Sequence, residues 1–292
     1  MAKHIALYGK GGVGKTTLAT NISAALVEAG FSIVLVGCDP KGDSSSLLNN
    51  GLPLPDVLGL IRAKNDISLN SVVHTGFKGI KCVELGNPFQ TGSCASVEIT
   101  RAFEELRRIK LFEEVAADFV IYDVTGDSSC TEMLGPIRLH GLDRLFVVTS
   151  ADFMSLHAAN SIFTFMERYG DSHVPIPLGG LIPNNITSSF EESFIKDFAT
   201  HTHAKLLSKI TRSLTVRQCE LYGKTIIEAA PLSNQAYFYR RLANQIVDEV
   251  QSSKRGTLPQ PMQSDQLRKW AHGWGDRIYA LENGLVTDGA AI

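Results

Sequence analysis

The sequence predicts an α/β fold built on a mostly parallel, doubly wound sheet, and three observations carry that expectation. Short β-rich apolar runs alternate along the chain with amphipathic, helix-like stretches, which is the pattern of a sheet covered on both faces. The first such run leads straight into a glycine-rich turn and then a helix-like segment. The composition is that of an ordinary globular chain, with 44% hydrophobic and 20% charged residues among 292.

In chain order, strands are expected near residues 5–8, 33–37, 81–85, 119–123, 145–149 and 178–182, with a further one near 206–210. Helices are expected over 17–28, 99–108 and 156–169, where apolar residues recur at helical spacing. Residues 1–250 read as one unit, and ligands of such a sheet sit at the carboxyl ends of its strands. Residues 251–292 read as a linker and a helical tail. The linker, 252–264, is rich in Ser and Gln and holds Pro259 and Pro261. The tail carries a stripe of Leu267, Trp270, Trp274, Ile278 and Leu281. Gly273 and Gly275 should weaken this helix by roughly 1 kcal/mol each. The stripe is expected to pack on the body or on a partner chain; its polar face is not strongly basic, so a membrane-surface role is not favoured.

With 28 Lys+Arg against 30 Asp+Glu, the formal net charge is −2. That balance argues against general nucleic-acid binding through charge. No stretch approaches the roughly 18–20 apolar residues a membrane helix needs. The run from Met1 into the first strand leaves no room for a signal peptide, so the chain is expected in the cytoplasm. The five cysteines, Cys38, Cys82, Cys94, Cys130 and Cys219, are odd in number and widely spaced. They do not form a disulfide framework or a Cys-x-x-Cys knuckle. A metal site would draw them from distant loops or from two chains.

The glycine-rich turn, Gly9-Lys10-Gly11-Gly12-Val13-Gly14-Lys15-Thr16, matches Gly-x-x-x-x-Gly-Lys-Thr after a strand. Its backbone N–H groups, helped by the positive end of the following helix, suit phosphate oxygens. Lys15 is expected at the β/γ-phosphates of ATP, the Thr16 hydroxyl on Mg²⁺, and Thr17 beside them. Two acidic loops follow apolar strands: Asp39-Pro40-Lys41-Gly42-Asp43, and Asp123-Val124-Thr125-Gly126-Asp127. Acids placed there orient water or a hydrated Mg²⁺, and the backbone behind them can respond to the γ-phosphate.

The second lysine of the loop, Lys10, resembles the signature of the deviant Walker-A P-loop NTPases. In that group it reaches the nucleotide of the other subunit, which implies a homodimer. The segments Gly37-Cys38-Asp39-Pro40-Lys41-Gly42-Asp43-Ser44, Lys81-Cys82-Val83-Glu84, Gly92-Ser93-Cys94-Ala95 and residues 122–130 narrow the resemblance. Over residues 4–250 the chain resembles the nitrogenase iron protein-like family, which includes the ATP-dependent reductases of chlorophyll, bacteriochlorophyll and nickel-tetrapyrrole synthesis. The resemblance implies one [4Fe–4S] cluster per homodimer, with Cys94 and Cys130 of each subunit as its ligands. It also implies MgATP, a ferredoxin or flavodoxin donor and a nitrogenase-like catalytic partner. Asp39, Asp43 and Asp127 would handle water or metal, with Lys10 and Lys15 on phosphate and Lys41 nearby. Asn184, Arg212, Glu220, Gln235 and Tyr239 would surround adenine and ribose. Independently, a cluster wants four thiolates, and two loop cysteines become four across a two-fold axis.

The chain departs from the family after both cysteines. The usual Ala-Gly-Arg-Gly reads Ala95-Ser96-Val97-Glu98, and the usual Gly-Gly reads Thr131-Glu132. The arginine is absent, and Glu98 and Glu132 are expected to make the cluster face more negative, so the partner surface should differ from that of nitrogenase. Two alternatives share the phosphate loop: a cluster-free ATPase of the partitioning type, and a scaffold that carries clusters for delivery. His201-x-His203 has no further ligand set and reads as a surface loop.

Overall fold

Seven strands form one sheet in a computed structural model that describes residues 2–90, 94–124, 134–135, 137, 141–168, 176–252 and 258–285. The order is β3-β4-β2-β5-β1-β6-β7. The strands are β1 (Lys3–Tyr8), β2 (Ile33–Gly37), β3 (His74–Thr75), β4 (Lys81–Glu84), β5 (Phe119–Asp123), β6 (Arg144–Thr149) and β7 (Leu178–Pro183). All neighbours pair in parallel except the short β3 against β4. Strand side chains alternate between two cores. Ala6, Tyr8, Val34, Val36, Val120 and Tyr122 enter one; Ile5, Leu7, Ile33, Leu35, Phe119 and Ile121 enter the other. Both faces are therefore covered, as the continuous apolar runs required.

The second core lies under α1 (Lys15–Glu28) and α10 (Asn234–Gln251), which pack on each other. The first lies under α4 (Ala95–Arg108), α6 (Phe153–Arg168), α7 (Ser189–His201) and α11 (Ser264–Glu282). Shorter helices complete the described chain: α2 (Val57–Arg62), α3 (Leu69–Val72), α5 (Leu111–Glu114), α8 (Leu214–Leu221) and α9 (Ile226–Ala229).

Two expectations change here. Residues 206–211 run beside β7 but form only isolated bridges, Leu206 with Leu181 and Thr211 with Ile186. Leu181 N donates to Lys205 O and Leu207 N to Leu181 O, but the next donor along β7 would be Pro183, which has no N–H. The ladder resumes only where Ile210 N donates to Pro183 O. The tail helix α11 is held on the body: Leu267, Trp270 and Trp274 are buried, while Ile278 is 44% exposed and outside the packed stripe. Trp270 and Trp274 pack on Phe194 at ring distances of 5.0 Å each. Before the helix, Asn160 of α6 bonds Met262 N and O at 2.8 and 2.9 Å.

Candidate functional site

The loop after β1 turns into α1 through Gly14, whose φ of 93° lies in the left-handed region. A Cβ there would also stand 2.5 Å from Asn184 Nδ2. With no side-chain cap on α1, its first N–H groups are left for an anion, which is the physical basis of phosphate binding at such a turn. Lys15 is buried and donates to Lys10 O at 3.1 Å. Lys10 is exposed and pairs with Asp152 at 3.3 Å, at the start of α6.

Asp123, the last residue of β5, sits beneath this loop. Its Oδ2 accepts from Thr16 Oγ1 at 2.6 Å and from Ser44 Oγ at 2.8 Å. Its Oδ1 is buried with no partner. Burial pushes its carboxyl above the usual range, against the pull of the two hydroxyls and Lys15. An oxygen so placed beside a threonine hydroxyl suits the water shell of a hard divalent cation, so these residues fit Mg²⁺ bound with a nucleotide.

The acids of the second loop face the same space. Asp39, Lys41 and Asp43 line a cleft of about 790 Å³ with Lys15 and Thr16, and Asp39 Oδ1 accepts from Lys41 N at 2.9 Å. Gly11, Gly12 and Thr17 line it too. Asp127 and Cys130 lie outside the described residues.

A narrower cleft of about 200 Å³ is lined by Asn184, Arg212, Glu220 and Tyr239. Thr17 Oγ1 donates to Glu220 Oε1 at 2.6 Å, tying α1 to α8. Asn184 Nδ2 donates to Val13 O at 2.7 Å, so it braces the phosphate loop from β7. Gln235 does not line the cleft. It bonds Thr211 through Oγ1 at 3.2 Å and O at 2.9 Å, and so holds the segment that carries Arg212.

Among the described cysteines, Cys94 alone is exposed. It precedes α4, beyond the carboxyl end of β4, the sheet edge that also carries the phosphate loop. Its sulfur lies 3.1 Å from Ser96 Oγ. Cys38, Cys82 and Cys219 are buried, and burial pushes the Cys82 thiol up to about 12. They are core residues. An exposed thiol at the start of a helix suits the chemistry of an iron–sulfur ligand; no group of three or more His, Cys, Asp or Glu side chains able to hold a metal exists among the described residues. Glu98 differs from expectation. It shares the inner face of α4 with Ala95, Ile99 and Ala102, is buried, and leaves Oε2 without a partner. Its carboxyl lies beneath the surface rather than on it.

Sequence reasoning passed over Ser44, Ser45 and Glu84. Ser45 N and Oγ donate to Glu84 Oε1 at 2.7 and 2.5 Å.

Comparison with known proteins agrees with this geometry. The family model of 4Fe-4S iron sulfur cluster binding proteins, NifH/frxC family, matches residues 3–275. Members of that family bind a [4Fe–4S] cluster and MgATP, with one cluster per dimer. The chain is 42% identical over 289 residues to nitrogenase iron protein 2 of Paenibacillus durus, covering 99% of this chain and 97% of that one. It is 38% identical over 275 residues to the nitrogenase iron protein of Methanospirillum hungatei, covering 93% and 96%. Among solved structures, the cell division ATPase MinD of Pyrococcus furiosus superposes with a TM-score of 0.67 at 17% identity, over 85% of this chain and 99% of that one. A ParA family ATPase of Chlorobium tepidum gives 0.61 at 20%, over 87% and 99%. These two share the fold.

Proposed function

We propose a function for a chain that belongs to the NifH/frxC family of [4Fe–4S] cluster-binding proteins: it is an ATP-hydrolysing electron-transfer component that works as a homodimer with a nitrogenase-like catalytic partner. In this reading Cys94 and Cys130 of each protomer hold one cluster between them, and a ferredoxin or flavodoxin supplies the electron. The ligand count supports it, since two thiolates per chain reach four only across a two-fold axis. Residues 1–250 form the ATPase and cluster-bearing unit, and residues 251–292 are a linker and tail helix.

The observation that carries the reading is Asp123. It bonds the Thr16 hydroxyl on the phosphate loop, it holds an unpartnered buried oxygen, and its strand leads in sequence to Cys130. Lys15 and the α1 N-terminus stabilise the charge on the phosphates. Thr16 and Asp123 hold Mg²⁺ and its water, while Asp39, Asp43 and Asp127 orient water or metal. Asn184, Arg212, Glu220 and Tyr239 seat the base and ribose, and Gln235 holds the Arg212 segment. Lys10, paired with Asp152 in the protomer, is the group that reaches the partner subunit's nucleotide. The cluster supplies one-electron chemistry at low potential when bound.

Anaerobic purification tests this. About four irons per dimer with matching acid-labile sulfide are expected from the ligand chemistry, together with an EPR signal on reduction. Cys94→Ser and Cys130→Ser should each lose both. An iron-free preparation that hydrolyses ATP at full rate would instead favour a cluster-free ATPase.

A further inference from the structure

At the carboxyl edge of the sheet two buried carboxylates stand on either side of a glycine. Glu84 closes β4, Asp123 closes β5, and Gly37 of β2 is in register with both. A Cβ at Gly37 would lie 1.9 Å from Glu84 Oε2 and 2.7 Å from Ser44 Cβ. The missing side chain is therefore what lets the Glu84 carboxyl lie over β2. There its Oε1 takes two hydrogen bonds from Ser45, while Ser44 donates to Asp123. Glu84 is 0% exposed, and its Oε2 has no partner.

Such a group is costly: a buried carboxyl with an unsatisfied oxygen stabilises less than an apolar side chain of its volume would. What it does supply is a connection. One serine dipeptide, directly after Asp43, puts a hydroxyl on each of two strands. Asp123 ends the strand that leads in sequence to Cys130, and it already holds Thr16 of the phosphate loop. Glu84 ends the strand that leads to Cys94, ten positions on. Leu85 N donates to Gly37 O at 2.9 Å, so that exit stays fastened to β2.

We infer that Glu84 is a positioning residue that tethers the segment carrying Asp39 and Asp43 to the strand leading to Cys94. A displacement of that segment at the triphosphate is thereby passed to the Cys94 side as well as to the Cys130 side. The inference rests on the proposed nucleotide-driven function and adds a second route within it. Glu84 touches neither nucleotide nor cluster and acts only through Ser45.

Hydrogen exchange read by mass spectrometry on the anaerobically purified, full-length protein tests it, comparing MgADP with a non-hydrolysable MgATP analogue. In the wild type, exchange should change both at residues 39–48 and at 85–97. Glu84→Ala should keep the first change and reduce the second by about five-fold or more, the size of an ordinary coupling between sites. Glu84→Leu, which fills the space without an acceptor, should do the same and carries the test if the alanine variant does not fold. Glu84→Gln keeps an acceptor for Ser45 and should restore most of the response. A wild-type response at 85–97 in both the alanine and leucine variants overturns the inference alone. So does a glutamine variant that responds no better than leucine, since that would mark a merely structural role. If neither segment of the wild type responds, the nucleotide-driven reading falls, and the tether with it.

Discussion

Asp123 and Glu84 are each satisfied through one oxygen only, and the two differ in what surrounds them. Burial raises the Asp123 carboxyl, and Lys15 opposes that rise. Glu84 has no cation among its influences. Burial raises its carboxyl to about 7, the Ser45 bonds oppose that rise, and Asp123 and Asp43 add to it. A carboxyl raised in the folded state contributes its full stability below its unfolded pKa and loses it as pH climbs through the folded one. For Glu84 that window runs from the ordinary carboxylate range up through about 7, and the loss across it is about 3 kcal/mol. Glu84→Gln does not titrate, so its unfolding free energy should gain on the wild type by about that amount between acidic and slightly alkaline pH. Denaturant titrations at a series of pH values would show it, and two parallel curves would exclude the effect. Asp39, Asp43 and Asp123 were legible as acids at or just beyond the ends of apolar runs. Glu84 was not, because the predicted strand extended one residue past it and made it interior. Only the register with Gly37 reveals that its side chain crosses the sheet.

The tail helix shows how far periodicity reaches. Its stripe announced a packed face, and Leu267, Trp270 and Trp274 supply one. Gly273 and Gly275 lie off that packed face, where a Cβ would meet open space. What periodicity could not reveal is the polar anchor. Asp197 Oδ2 of α7 accepts from both Trp270 Nε1 and Trp274 Nε1, at 2.7 and 2.8 Å. Asp197→Ala leaves two indole donors unpaired and should lower stability by about 2–4 kcal/mol. Asp197→Asn retains an acceptor and should recover a large part of it; thermal unfolding measures both. The segment 206–211 teaches the converse. A strand is expected there, but the missing N–H of Pro183 lies on the neighbouring strand and interrupts the ladder from there.

That the strands run mostly parallel follows from their alternation with helices, and the phosphate loop announced itself by pattern. The sheet order, with β5 and β6 on either side of β1, was beyond reach because register depends on contacts distant in sequence. This order sets Asp39 and Asp43 in one cleft with the phosphate loop, and it makes Lys15 testable across the fold. At 100-fold excess over its Kd, MgATP should stabilise the wild type by about 2.7 kcal/mol. Lys15→Ala should show no such stabilisation in thermal unfolding while keeping its iron content. Loss of iron in that variant would make the loop a folding element.

The chain has two tryptophans, and both sit on α11, sharing the Asp197 carboxylate. Selectively excited indole emission is therefore a reporter for one event, the docking of the tail against α7. It stays blind to rearrangements of the ATP-binding loops that leave this seam closed. A spectral change on adding nucleotide would consequently speak of a signal that has passed from the phosphate loop into the tail.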